Sequence, residues 1–256
     1  MIEPVKLSGT MRRVFGALLL IPVVFVLWYD QQFGGLALCF LAVLMGLEVK
    51  RLTAMPTVLG YLLLGLIVVQ SVPHWIIARP PVLVVGIVFL LTFLVLVYTN
   101  YLVALFVGSL SLCLGYAGFL LSQPSGNILL IALAAIIAMC DSAAYFVGRH
   151  VGGPKLWQQV SPKKTVSGSV GGLIGAMVLT IFLSDVFTFA SLGEALIVGL
   201  VIGVLAQAGD LFESAVKRHL KVKDSGSILP GHGGMLDRFD GYVFAVPAIY
   251  FYLFGI

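Results

Sequence analysis

The sequence predicts an all-α, polytopic integral membrane protein with about nine transmembrane helices. Its 256 residues are 60% hydrophobic and 10% charged, with a mean hydropathy of +1.10. Apolar runs of roughly 20 residues recur, the length that crosses a hydrocarbon layer of about 30 Å at about 1.5 Å per residue. Between them stand short connections rich in turn formers, such as Met55-Pro56, Ala78-Arg79-Pro80-Pro81 and the stretch 122–127, which stop helices by backbone geometry.

Taken in order, the spans run from Met11 to Tyr29, Phe33 to Leu47, Thr57 to Val72, Val82 to Tyr98, and Tyr101 to Leu121. They continue from Asn127 to Val147, Gly168 to Phe187, Leu192 to Ser214, and Tyr242 to Phe254. The first has a signal-like prelude in Lys6, Arg12 and Arg13, but no small-x-small cleavage site follows, so it reads as a retained helix. With nine spans and a cytoplasmic N-terminus, fourteen of the fifteen Lys and Arg residues fall on the cytoplasmic side, leaving only Arg79 outside. This asymmetry puts two polar loops, 148–167 and 215–241, in the cytoplasm of a bacterial-type inner or plasma membrane.

Residues 1–126 form an N-terminal scaffold of five helices, and 127–256 a C-terminal catalytic region. In the scaffold, Glu48 with Lys50 and Arg51 at the end of the second span could reach toward a site but reads rather as an interfacial ion cluster that fixes helix depth, and His74 has no assigned role. Cys39, Cys113 and Cys140 lie inside apolar runs without metal-ligand spacing and read as packing residues. The basic residues form no stripe interleaved with aromatics, which argues against nucleic acid; positive charge at helix ends suits anionic headgroups of the lipid bilayer. Gly168/Gly172, Gly171/Gly175 and Gly199/Gly203 have the spacing of close helix packing in lipid.

Chemistry concentrates in residues 210–240, which hold five of the eleven acidic and five of the fifteen basic residues. Charge at this density beside a bilayer marks a site more readily than a stabilising device. Asp210, Glu213, Ser214 and Lys217 stand at i, i+3, i+4 and i+7, one helix face, and Asp237 and Asp240 repeat the i, i+3 spacing. Glycines between them, Gly233 and Gly234 included, permit close backbone approach to an anion. Upstream, Asp141 is a carboxylate inside an apolar span, against the alternative of an ion pair with Arg149 or Lys217. Lys163 and Lys164, beside Ser161 and Thr165, suit phosphate oxygens. Carboxylates gathered beside lysines and arginines suit Mg²⁺ with a polyphosphate, whereas His219 and His232 lack the spacing of zinc ligands.

The segment from Ser214 to Asp240, with Lys217-Arg218, Lys223-Asp224-x-Gly226, Leu229-Pro230-x-His232-Gly233-Gly234-Met235-x-Asp237-Arg238-Phe239-Asp240, resembles the signature of CDP-diacylglycerol synthases, also called phosphatidate cytidylyltransferases. Asp141-Ser142-Ala143-Ala144-Tyr145 and Ser161-Pro162-Lys163-Lys164-Thr165 resemble two further blocks of that family. The chain departs from it where Asp-Thr-Gly-Ala-Tyr is common, and where Val166-Ser167-Gly168 replaces Trp-Glu-Gly. The resemblance implies transfer of the cytidylyl group of CTP to phosphatidate with release of pyrophosphate, dependent on Mg²⁺ and, as in the family, a second monovalent cation such as K⁺. It implies metal binding by Asp210, Asp237 and Asp240, with Asp141 and Asp224 as further candidates. Lys217, Lys163, Lys164, Ser214, Arg218, Lys223, His232, Gly233, Gly234 and Arg238 would contact substrate, and a homodimer is expected. A CTP-dependent kinase of a polyprenol or other lipid alcohol, and a transporter or scramblase, are the alternatives.

Overall fold

The computed structural model describes residues 21–53, 55–73, 81–226 and 233–255, and these are mainly helical. In order they form α1 (Ile21–Tyr29), α2 (Gln31–Thr53), α3 (Thr57–Ser71), α4 (Pro81–Tyr98), α5 (Tyr101–Leu121) and α6 (Gly126–Val151). A hairpin follows, β1 (Lys155–Trp157) and β2 (Ser161–Thr165), then α7 (Val166–Phe182), α8 (Ser184–Phe187), α9 (Leu192–His219), α10 (Leu236–Phe239) and α11 (Tyr242–Phe254). By length and composition α2, α5, α6 and α9 can each cross a membrane, while α3, residues 83–98 of α4, α7 and α11 are shorter apolar helices. The chain is thus a polytopic membrane protein with four full-length spans among the described residues. The first expected span is described only from Ile21 onward, and His74 and Arg79 lie outside the described residues.

Helix ends follow local chemistry. Asn100 and Ser191 cap α5 and α9 by accepting from Val103 N (3.1 Å) and Glu194 N (3.2 Å). Helices α2 and α9 run past the apolar stretches into last turns that carry Lys50 and Arg51, and Lys217, Arg218 and His219. Cations there suit the carbonyl end of the helix. Side chains such as Phe89 (72% exposed) and Phe93 (64%) are left mostly uncovered on α4, as expected where the surrounding solvent is lipid.

The purely α-helical expectation is corrected at residues 155–165. There β1 and β2 pair antiparallel, Lys155 opposite Thr165 and Trp157 opposite Ser161. Thr165 ends the strand and caps α7, its hydroxyl accepting from Gly168 N at 3.1 Å.

Helices α6 and α7 pack closely because small residues face each other. A Cβ on Gly168 would lie 2.6 Å from the Ala144 carbonyl, and one on Gly175 would lie 2.7 Å from Ala143 Cβ. On the other side of α7, Gly199 of α9 sits where a Cβ would meet Met177 Cα at 2.8 Å. The four-residue glycine spacing therefore does serve backbone approach.

Two apolar clusters fill the interior. One joins Met45, Leu63, Leu91 and Leu110 of the N-terminal helices to Val216, Met235, Leu236 and Val243; the other centres on Tyr116, Leu133, Ile136, Ile202 and Ala245. The N-terminal helices thus pack directly beneath the polar C-terminal segment.

Candidate active site

Four elements converge at one end of the bundle: the C-terminal half of α6, the β-hairpin, the last turns of α9, and the segment from 233 through α10 into α11. Gly209 permits the last approach, since a Cβ there would lie 2.3 Å from the Asp240 carbonyl oxygen.

The polar face expected on α9 is present. Ser214 Oγ donates to Asp210 Oδ1 at 3.3 Å, and Lys164 Nζ from the hairpin lies 2.5 Å from Asp210 Oδ2. Lys217 Nζ lies 2.6 Å from Asp237 Oδ1 and 3.4 Å from Glu213 Oε2. Glu213 is 1% exposed and, among the described residues, neither of its oxygens accepts a hydrogen bond; the carboxyl of Asp240 lies against it. Burial and the charge of Asp210 push the Asp240 carboxyl above the usual range, although the Glu213 carboxyl and the Gly241 N–H (2.7 Å) act in the opposite direction.

Asp237 is held differently. Burial alone would raise its pKa, but the Lys217 ammonium and the backbone N–H groups of Gly234 (2.7 Å) and Ser225 (3.0 Å) outweigh it and hold the carboxyl below the usual range. Gly233 adopts φ +81°, a left-handed conformation that suits glycine, and a Cβ there would meet Asp237 Oδ2 at 2.5 Å.

Asp141 is not paired with Arg149 or Lys217. Arg149 Nη1 donates to the Tyr145 hydroxyl at 3.0 Å, and Lys217 is engaged as above. The charged neighbours of Asp141 are Asp210, Lys164 and Arg238. It lies where two cavities meet. One, of about 480 Å³, is polar and bounded by Lys163, Lys164, Asp210 and Gln207. The other, of about 300 Å³, runs among Leu38, Met45, Leu110 and Leu114 toward Arg238 and Asp240. Both fall in or near the size range of small-molecule sites, roughly 300–1,000 Å³.

Other expected contacts fall elsewhere. Arg218 donates to the carbonyls of Val160 (3.4 Å) and Val222 (3.3 Å), fastening the hairpin turn to the end of α9. Lys223 and Asp224 are exposed and border neither cavity. His232 lies outside the described residues. Ser167, where the resembled family has Glu, donates to the Gly152 carbonyl and so closes the base of the hairpin.

One participant escaped the sequence reading, and another was set second in it. Gln207, one turn before Asp210 on the same face, donates to the Ser169 carbonyl at 3.0 Å, and Ser169 Oγ donates to its side-chain carbonyl. Its i−3 spacing from Asp210 was the available signal. Glu48 is no interfacial ion cluster: it is 0% exposed and accepts from Ser225 Oγ (3.1 Å), Met235 N (2.8 Å) and Leu236 N (2.9 Å). Lys50 instead lies over the Tyr61 ring at 3.3 Å.

Among the described residues no three His, Cys, Asp or Glu side chains stand at the spacing of a preassembled metal cage. The donor chemistry still fits a hard cation. Asp141, Asp210 and Asp240 offer oxygens whose charges lie close enough to repel one another. Asp210 already shares its oxygens with Ser214 and Lys164 but faces the cavity; Asp237 fits less well, because Lys217, Ser225 and Gly234 occupy its oxygens and it borders neither cavity.

A helical membrane bundle that gathers carboxylates and lysines around a polar cavity, with an apolar cavity adjoining it, defines a membrane-embedded protein equipped to handle phosphate groups. The chain belongs to the cytidylyltransferase family, whose model matches residues 10–255. It is 36% identical over 225 residues to the phosphatidate cytidylyltransferase of Bacillus subtilis, covering 82% of each chain. It is 45% identical over 115 residues to that of Staphylococcus saprophyticus (44% of each chain). Against that of Brucella suis it is 42% identical over 133 residues, 52% of this chain and 48% of the relative.

Proposed function

We propose that this chain is a phosphatidate cytidylyltransferase: a phosphate oxygen of phosphatidate attacks the α-phosphorus of CTP, the bond from that phosphorus to the β-bridging oxygen breaks, and pyrophosphate leaves with CDP-diacylglycerol as product. The family membership and the names of the relatives support the reaction. The meeting of the two cavities at Asp141 supports it most directly, because the reaction needs a charged chamber for a triphosphate opening onto an apolar one for a lipid chain.

The attacking phosphate is anionic at neutral pH, so no strong general base is required. Rate comes from alignment and from neutralising two polyanions. Lys164 and Lys163 offer ammonium groups to the triphosphate, and Arg238, on the border of the apolar cavity, is placed for the lipid phosphate. Lys217 fixes Asp237 and, through it, the approach of α10. Asp141, Asp210 and Asp240 would hold Mg²⁺, with a monovalent cation such as K⁺ sharing their charge. Bound there, Mg²⁺ supplies charge neutralisation of phosphate oxygens. The basic loops face the cytoplasm, and the functional unit is a homodimer.

The test uses purified protein in detergent with Mg²⁺, α-labelled CTP and phosphatidate. Label entering lipid with stoichiometric pyrophosphate is expected. With a polyprenol supplied in place of phosphatidate, release of CDP with a phosphorylated polyprenol would establish a kinase instead, and absence of nucleotide consumption with either lipid would count against both enzymatic readings.

A further inference from the structure

The geometry points to Glu48 as a positioning residue for the active-site segment, acting from a helix of the N-terminal half that otherwise reads as scaffold. Its carboxylate is fully buried at the end of α2, and among the described residues it has no ion pair; its partners there are Ser225 Oγ, Met235 N and Leu236 N. All three belong to the two sides of the segment that carries Asp237. Asp237 grips the same two sides from within the site, through Ser225 N and Gly234 N. One carboxylate from each half of the chain therefore staples the same short stretch.

The glycines of this stretch fit around Glu48. A Cβ on Gly226 would lie 2.4 Å from Glu48 Oε1, and one on Gly234 would lie 2.6 Å from Oε2. Three donors aimed at a buried anion cannot be matched by a neutral isostere. In Glu48→Gln the side-chain NH₂ meets at least one backbone N–H, leaving it unpaired. Met235 and Leu236 lead directly into Asp237 and Asp240, so release of Glu48 shifts the carboxylates that face Asp210 and Lys217.

This role rests on the cytidylyltransfer reading for its kinetic consequence, but not for its structural one. Two readouts on the full-length protein in detergent keep these apart. In Glu48→Gln, amide hydrogen exchange at Ser225 and at residues 234–236 should accelerate about tenfold or more while α6 and α7 keep wild-type protection. Turnover with CTP and phosphatidate should fall about tenfold or more in kcat, with KM for CTP changed less than about threefold, since the triphosphate contacts on the hairpin are untouched. Gly226→Ala, which presses one methyl group against Glu48, should reproduce both effects. Combined with Glu48→Gln it should add little, because both act on one contact.

Unchanged exchange at Ser225 and at 234–236, or a wild-type kcat, in either variant overturns the role. If Glu48→Gln fails to fold, Gly226→Ala decides by the same measurements. If the wild type itself shows no cytidylyl transfer, the proposed reaction fails while the exchange result still decides whether Glu48 pins the segment.

Discussion

Two aspartates three residues apart take opposite surroundings. Asp240 lies near Asp210 and Asp141, whose charges repel its own, so it gains from a cation. Asp240→Asn should leave folding intact and lower kcat roughly 100-fold or more, the size of effect seen when a charge-stabilising group is removed. Steady-state assays over a Mg²⁺ titration check this, and retained activity at saturating Mg²⁺ would count against a metal role. Asp237 is instead tied to Lys217 and two backbone donors. Asp237→Asn takes from the nearly buried Lys217 its closest carboxylate, leaving Glu213 and Asp240 as charged neighbours among the described residues, which should cost roughly 3 kcal/mol of stability. Because the folded-state pKa of Asp237 is depressed, its contribution is complete above the ordinary aspartate range and is lost as pH falls through the lower, folded value. The melting temperature of the wild type should therefore decline on the acid side of that range, and Asp237→Asn should flatten this limb. An identical acid limb in the variant would mean that other carboxylates set it. At this scale the i, i+3, i+4 spacing made the α9 face legible in the sequence. Glu48 was not legible, because Lys50 and Arg51 beside it suggest a local ion cluster, and only the fold shows that its partners lie some 180 positions away.

Most helices begin and end close to where apolar runs and turn formers place them: Tyr101–Leu121 and Tyr242–Phe254 match residue for residue, and α4 and α6 start within one residue. Extensions such as α6 to Val151 and α9 to His219 were harder to see, since a helix leaving lipid keeps its hydrogen bonds although its side chains turn polar. The hairpin was invisible for a different reason. Lys155–Thr165 is short and polar, with none of the alternating apolar pattern that marks a strand. Its placement depends on contacts from elsewhere: Arg218 on the turn and Gly168 beneath Thr165. Gly168→Ala should therefore act on a whole element. Its Cβ would stand 2.6 Å from the Ala144 carbonyl, an overpacking that should cost about 1–3 kcal/mol and shift the hairpin that carries Lys164. Gly65→Ala, where nothing lies within 4 Å, is the control and should be neutral or slightly stabilising. Thermal melts of the two variants compare them directly. Lys164→Ala, which leaves the packing alone, should raise KM for CTP by roughly tenfold or more through loss of one charge-assisted contact.

For the whole molecule, the decisive property is which side of the membrane the site faces. Helix α6 and helix α9 bring their C-terminal ends together, because Asp141 of one lies among the charges around Asp210 of the other. Residue 125, before the start of α6, therefore lies at the opposite end of the bundle from residue 221, just after α9. A 26-residue helix separates the two ends by about 39 Å, more than the hydrocarbon thickness. The proposed reaction requires the end near 221 to face the cytoplasm, the compartment that holds CTP, and the positive-inside rule predicts the same side. Ser125→Cys and Lys221→Cys turn this into a measurement. The native cysteines are half-buried or buried, so their background labelling by a bulky, membrane-impermeant maleimide should be low. In intact spheroplasts the reagent should modify Cys at 125 and spare Cys at 221; in inside-out vesicles the pattern should reverse. Labelling of position 221 from outside would put the polar cavity in the wrong compartment for a nucleotide substrate and defeat cytidylyl transfer as the function. Labelling of both positions from one side would show that the chain does not cross the membrane between them, contrary to the bundle seen here.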